Sequence, residues 1–116
     1  MIILDRDIGN QTGWLGFAYE EPMSPYIVNI NGYPGDKPDG TMWHAECQIS
    51  RIDREKLFYP CDTFGGMSGS SIYIFDKAKD ARTVYGVHAY GATDINSGTR
   101  IDQSKYEIIL NWKKQN

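Results

Sequence analysis

Short apolar runs alternate with turn-forming residues along most of this chain, and helical spacing appears only near its end. Trp14–Tyr19 sets aromatic side chains against small or aliphatic ones, the two-residue period of a half-buried strand. Tyr26–Ile30 is rich in β-branched residues and predicts a further strand. Thr41–Ile49 and Lys56–Asp62 read as an antiparallel pair. Ser71–Phe75, Thr83–Tyr90 with Val84 and Val87 near its centre, and Gly98–Ile101 continue the series. Met1–Leu4 reads as the tail of another strand, followed by a polar turn over Asp5–Thr12. Glu20–Pro25 forms a loop. Asn31–Gly40 holds Pro34, Pro38, Gly32, Gly35 and Gly40, so it predicts an exposed turn or Ω-like loop. Asp76–Arg82 predicts a charged hairpin loop and Gly91–Ser97 a flexible one. At the end, Ser104-Lys105-Tyr106-Glu107 has the form of a capping box, in which the serine hydroxyl and glutamate carboxylate satisfy free N–H groups at a helix start. Tyr106, Ile109, Leu110 and Lys113 then fall on one helical stripe, with Trp112 beside it. About seven short strands and one terminal helix, without repeats or a linker, predict a single closed all-β domain over residues 1–116.

At 116 residues the chain is one domain, long enough for a core but below the usual size of a two-lobed enzyme. Twelve glycines and 13% aromatic residues suit a turn-rich β domain better than a helical bundle. A net charge of −3 provides no basic field for nucleic acid or an anionic membrane surface. No apolar run approaches the ~18 residues of a membrane span. Met1–Asp7 is too short and too acidic for a signal peptide, which at face value implies the cytoplasm. Cys47 and Cys61 flank a reversal near Asp53 and Arg54, so either a cross-strand disulfide or two buried thiols is compatible with the pattern. Asp94 and Asn96 are scattered oxygen ligands that make no metal cluster, and no cofactor is implied.

The chemistry concentrates in Asp62-Thr63-Phe64-Gly65-Gly66-Met67-Ser68-Gly69-Ser70. One serine stands among glycines between two strands. A serine that attacks a carbonyl needs its hydroxyl held out on a sharp turn, with backbone N–H groups nearby for the developing oxyanion. Glycine and serine are also the ordinary chemistry of a strand-to-strand loop, so the context decides. Gly-Gly-Met-Ser-Gly-Ser leads into a strand, is preceded by Asp62-Thr63 and followed by Tyr85-Gly86-Val87-His88. In this it resembles the nucleophile region of the trypsin-like serine proteases, in the glutamyl endopeptidase branch. Gly32-Tyr33-Pro34-Gly35-Asp36-Lys37-Pro38, Gly40-Thr41-Met42-Trp43 and Asn96-Ser97-Gly98-Thr99-Arg100-Ile101 resemble the same branch in the same order. The resemblance runs from about Gly9 to the C-terminus.

That resemblance implies an antiparallel Greek-key barrel of six to seven strands with a C-terminal α-helix, the second barrel of such a protease. It implies Ser68 as acylating nucleophile and the N–H groups of Gly66 and Ser68 as the oxyanion hole. It implies that Thr63 and His88 hydrogen-bond an acidic substrate side chain, where position alone reads them as a strand-end threonine and a hydrogen-bonded core histidine. Ala89, Tyr90 and Gly91 are then the backbone edge along which an extended peptide pairs. The family is secreted, which favours the Cys47–Cys61 disulfide. Two positions depart from the family pattern. Ser71 stands where proline is usual. Met67 stands where digestive proteases keep an aspartate that pairs with a newly cut N-terminus, so activation through that salt bridge is not expected.

The resemblance also exposes a gap. The family orders its triad His, Asp, Ser, with the first two upstream of this barrel. Asp5 and Asp7 follow the Met1–Leu4 run rather than preceding it, and His44 sits at a position with no family role. The chain therefore reads as the C-terminal half of a serine endopeptidase that prefers Glu or Asp before the scissile bond and is inactive without an N-terminal barrel supplying His and Asp. The contrasting reading is a non-catalytic β-barrel module that keeps the groove to bind peptides. A third is a structural domain in which the Gly-Ser run is only a hairpin.

Overall fold

The computed structural model describes residues 2–115. The elements follow the chain as α1 (Gly9–Thr12), β1 (Gly16–Phe17), β2 (Ile27–Gly32), β3 (Trp43–Gln48), β4 (Arg51–Ile52), β5 (Lys56–Tyr59), β6 (Ser71–Asp76), β7 (Ala81–Tyr90), β8 (Asn96–Arg100) and α2 (Gln103–Lys114). One sheet carries all the strands in the order β3-β2-β6-β7-β8-β5-β4, antiparallel throughout, while β1 lies parallel beside β7. The all-β barrel with a terminal helix expected from the sequence is the fold observed.

The sheet closes at a point that local pattern does not mark. β3 and β4 stand at opposite ends of the strand order yet are separated only by Ile49 and Ser50. Ile49 N–H donates to the Tyr26 carbonyl at 2.9 Å, and the next residue, Ser50, donates to the Phe58 carbonyl at 2.8 Å. Consecutive amides thus hand the chain from one edge of the sheet to the other, and no long edge is left open there. Thr41–Ile49 and Lys56–Asp62 do not pair with each other as expected. β3 pairs with β2, Val28 opposite Cys47, whereas β5 lies between β8 and β4. Cys47 and Cys61 nevertheless form a disulfide, with a Cα–Cα distance of 5.1 Å. It joins the two regions because the barrel curls.

The core is the barrel interior: Val28 and Ile30 from β2, Leu57 and Tyr59 from β5 and Ile72 from β6 are fully buried. Met23, Ile49, Cys61 and Met67 complete it. Val28 and Ile30 alternate along β2, and Leu57 and Tyr59 along β5, the period of the pleat. Gly86 and Gly98 stand where β7, β8 and β6 crowd together. A Cβ on Gly98 would lie 2.4 Å from Ile72 Cδ1 and 2.5 Å from the Val87 carbonyl.

Several local expectations shift. Ile2–Leu4 are not in a strand and are exposed, and Met1 lies outside the described residues. The Asp5–Thr12 turn ends in the single helical turn α1. Of Trp14–Tyr19 only Gly16–Phe17 is strand, because its one neighbour is the edge of β7. β8 starts at Asn96 rather than Gly98, since β5 offers partners as far as Tyr59. The helix starts earlier than the capping box predicts. Asp102 is the N-cap, and its carboxylate accepts the Lys105 N–H at 2.9 Å, which leaves Ser104 inside the first turn. Aspartate caps as well as serine does, and this one also ion-pairs with the Lys105 ammonium, which holds its carboxyl below the usual carboxylate range. Tyr106 docks α2 against the barrel, its ring 5.4 Å from that of Phe17 and 5.1 Å from that of Tyr19. Ile109 and Leu110 are half-buried, and Lys113 stays exposed. Among the described residues no helix is long and apolar enough to cross a membrane.

Candidate active site

Strand β5 ends at Tyr59, and the chain passes Cys61 before turning at Phe64–Ser70 into β6. Two overlapping backbone bonds build that turn: Met67 N–H to the Phe64 carbonyl and Ser70 N–H to the Met67 carbonyl, each 3.1 Å. Met67 is 2% exposed and plugs into the core, whereas Ser68 beside it faces solvent. The methionine is therefore an anchor that points the following serine outward. Gly32 makes the anchor's seat, since a Cβ there would lie within 3.0 Å of Met67 Cγ. Gly66 has φ +103°, and a Cβ on it would lie 2.6 Å from the Tyr33 carbonyl. Only glycine fits that position. The Gly65 carbonyl accepts the Gly35 N–H at 2.8 Å, which ties the turn to the loop after β2.

The far side of the turn is bound to β7. Gly69 N–H donates to the His88 carbonyl and His88 N–H donates to the Ser70 carbonyl, both at 2.8 Å. With the amides of Met67, Gly69 and Ser70 so engaged, those of Gly66 and Ser68 donate to no carbonyl among the described residues. Beyond Gly69 no strand runs alongside β7 on this side, so Ala89–Gly91 border an open edge.

Ser68, Thr63, His88 and Gly91 line one cleft together with Phe64 and Asn96. Ala89 and Tyr90 do not line it. The Tyr90 side chain is half exposed and lies under the Lys56 ammonium, 4.6 Å from the ring centroid. His88 is 3% exposed, and its Nδ1 lies 2.5 Å from the Tyr59 hydroxyl. Burial pushes the imidazole below the ordinary histidine range and the Tyr59 phenol above its own. The cleft thus contains one neutral imidazole and one threonine hydroxyl, both groups able to donate.

Asn96 also lines the cleft, a place that the sequence, which marked it only as a scattered oxygen ligand and part of a family-like stretch, did not assign to it. Its amide Nδ2 donates to the Cys61 carbonyl at 2.7 Å, and its Oδ1 accepts the Ala92 N–H at 3.2 Å. It pins the loop that forms one wall, so its amide is engaged within the protein rather than free for a cation. An asparagine at a strand start was the available signal. His44 is exposed on β3 and bonds Asn29 Oδ1 at 2.8 Å, and His88 is engaged by Tyr59, so among the described residues no histidine bonds the serine.

Comparison with known proteins places this geometry. No family model matches the chain. Curated relatives do: a glutamyl endopeptidase of Bacillus licheniformis is 36% identical over 97% of this chain and 38% of its own length. A Staphylococcus aureus glutamyl endopeptidase is 32% identical over 77% of this chain and 25% of its own length. A Bacillus subtilis protein named extracellular metalloprotease is 33% identical over 98% of this chain and 37% of its own length. The metal implied by that name finds no fitting donor set here, since among the described residues no group of three or more His, Cys, Asp or Glu side chains could hold an ion. The chain thus spans well under half the length of these relatives. A solved Glu endopeptidase superposes with a TM-score of 0.78 at 30% identity, over 97% of this chain and 52% of that one. In sequence and in fold the chain belongs to the trypsin-like serine proteases, in their glutamyl endopeptidase branch, and corresponds to the C-terminal half of such a protease.

Proposed function

We propose that this chain forms the nucleophile-bearing half of a secreted serine endopeptidase that cleaves after acidic residues. The observation that carries the reading is the outward-facing Ser68, which shares one cleft with Thr63 and His88. The Ser68 hydroxyl oxygen attacks the scissile carbonyl carbon, and its proton passes to a base. The carbonyl oxygen becomes an oxyanion held by the N–H groups of Gly66 and Ser68, the amides left free by the turn. The C–N bond breaks, the amine leaves with the proton, and water then hydrolyses the ester to regenerate the serine. The Thr63 hydroxyl and His88 imidazole donate to the acidic side chain before the cut. They stabilise its negative charge by hydrogen bonding and avoid the desolvation cost of burying an unpaired ammonium. Ala89–Gly91 pair with the extended substrate backbone.

The base and its orienting acid come from an N-terminal barrel that the relatives' greater length leaves room for. Exposed Trp14, Leu15 and Leu4 are apolar surface for that barrel to cover. The test starts from the native transcript upstream of Met1. An in-frame His and Asp predict that the full product cleaves glutamyl in preference to glutaminyl peptides. Ser68→Ala then lowers turnover by roughly 10³- to 10⁶-fold. Cleavage by the 116-residue chain alone, at a rate near that of a complete protease, would sink the two-barrel reading. A stop codon close upstream would favour the second reading, a peptide-binding module without catalysis. The absence of a histidine bonded to Ser68 among the described residues is what supports that alternative.

A further inference from the structure

Tyr59 is fully buried on β5, and its hydroxyl meets His88 of β7 although β8 runs between those two strands. Gly98 makes the crossing. It pairs with Leu57 on one side and His88 on the other, and a Cβ there would lie 3.0 Å from the Tyr59 hydroxyl. The phenol reaches over a strand through the gap left by a missing side chain. The two rings stand 5.8 Å apart, tilted by 50°.

The direction of this hydrogen bond follows from counting partners. Burial keeps the phenol protonated, so its one hydrogen needs an acceptor. Among the described residues the hydroxyl has no partner except His88 Nδ1, at 2.5 Å. Were Nδ1 the donor, the phenolic hydrogen would point at nothing in a dry interior, at the cost of an unmade buried hydrogen bond. Nδ1 is therefore the acceptor, and the ring hydrogen sits on Nε2. No other side chain among the described residues bonds Nε2, and His88 lines the cleft.

We propose that Tyr59 is a positioning residue for specificity, whose hydroxyl holds His88 as the neutral Nε2–H tautomer with that N–H directed to the cleft. The consequence for substrate choice rests on the reading of His88 as a donor to an acidic side chain. The opposite tautomer would turn a lone pair towards the substrate carboxylate and repel it. The arrangement separates orientation from charge, since a buried imidazole donates here without becoming an imidazolium.

The test is a two-bond proton–nitrogen correlation spectrum of the His88 ring in the 15N-labelled chain at neutral pH. The expected result is a single Nε2–H tautomer, with Nδ1 shifted as a lone pair that accepts a hydrogen bond and a slowly exchanging Tyr59 hydroxyl proton coupled to it. A dominant Nδ1–H form, or a rapidly exchanging mixture, would overturn the proposal without any variant. Tyr59→Phe should move Nδ1 to the position of a free lone pair while the Ile30 and Ile72 methyl signals report an intact core. An Nδ1 signal unchanged in Y59F would equally overturn it. Titration with N-acetyl-glutamate amide then separates the two readings. It should shift Nε2–H where the glutamine analogue does not, and Y59F should weaken that binding by about threefold to tenfold. The correct tautomer with no response to the glutamate ligand would remove the acid pocket and leave the Tyr59 assignment standing.

Discussion

Reduction of the Cys47–Cys61 bridge should destabilise the chain by about 3 kcal/mol, because the two half-cystines are 14 residues apart in sequence and the entropy of closing a loop of about that size has this magnitude. The native state has little to lose by reduction, since Cys61 is 2% exposed and Cys47 half-buried, so both thiols stay packed where the sulfurs were. The backbone crossing at Ile49 and Ser50 also survives, as its two amides bond Tyr26 and Phe58 and not the cystine. The reduced chain should therefore remain folded but less stable. Urea unfolding followed by tryptophan fluorescence, with and without a phosphine reductant at neutral pH, measures the difference. With an m-value of about 2 kcal/mol per M, the midpoint should fall by about 1.5 M, and m should rise slightly as the reduced unfolded chain expands. A loss below about 1 kcal/mol would mean that the bridge constrains a segment already ordered in the unfolded ensemble. Complete unfolding on reduction would refute the reasoning from the other side, by making the bridge itself the closure of the barrel.

Other perturbations discriminate among the remaining contacts. Arg100 is 3% exposed and donates to the Asp53 and Glu20 carbonyls and to the Glu21 carboxylate at 3.1, 2.6 and 2.8 Å. Arg100→Met should cost about 2–4 kcal/mol in urea unfolding, whereas Glu21→Ala should cost under about 1 kcal/mol, because Glu21 is exposed and its loss leaves the buried guanidinium its two backbone carbonyl partners. Equal losses would contradict that division. Gly66→Ala meets both a positive φ and the Tyr33 carbonyl and should cost at least about 2 kcal/mol, while Gly40→Ala, at φ +74° with open space around it, should cost about 1 kcal/mol. The pH dependence has a defined sign. Burial depresses His88, so the unfolded state takes up its proton first on acidification; stability is full above about pH 6.5 and falls as the pH drops towards the folded value. Asp102, depressed chiefly by its hydrogen bond to Lys105, adds a loss in the same direction below about pH 4. His88→Gln should flatten the upper part of that curve and leave the lower part in place.

Much of the candidate site was legible because its requirements are local. A glycine-flanked serine between two strands needs positive φ values around it, and Gly66 and Gly69 supply them at +103° and +88°. Thr63, Ser68 and His88 share a cleft because the turn is bonded directly to β7, and the resemblance to glutamyl endopeptidases marked those positions. The parts that Asn96, Tyr59 and Arg100 play escaped, although each is buried and hydrogen-bonded. Apart from the Asn96 bond to Ala92, their side-chain partners lie 29 to 80 residues away, and a pattern read over a few residues carries no trace of such pairs.

By itself the amino-acid sequence determined most of the strands and the terminal helix, because alternation along a strand and the stripe on a helix are local periodicities. It determined that the serine turn must be glycine-rich and that a helix closes the chain, though not that Asp102 rather than Ser104 caps it. Tertiary structure alone decided the pairing. β3 could satisfy its backbone with β5, the pairing the local pattern suggests, or with β2, and it took β2, while the crossing at Ile49 and Ser50 carries the chain on to the opposite end of the sheet. The disulfide, the Tyr59 bond to His88 across Gly98 and the three-way clasp of Arg100 all follow from that closure. Each depends on residues that approach only after the sheet has curled on itself.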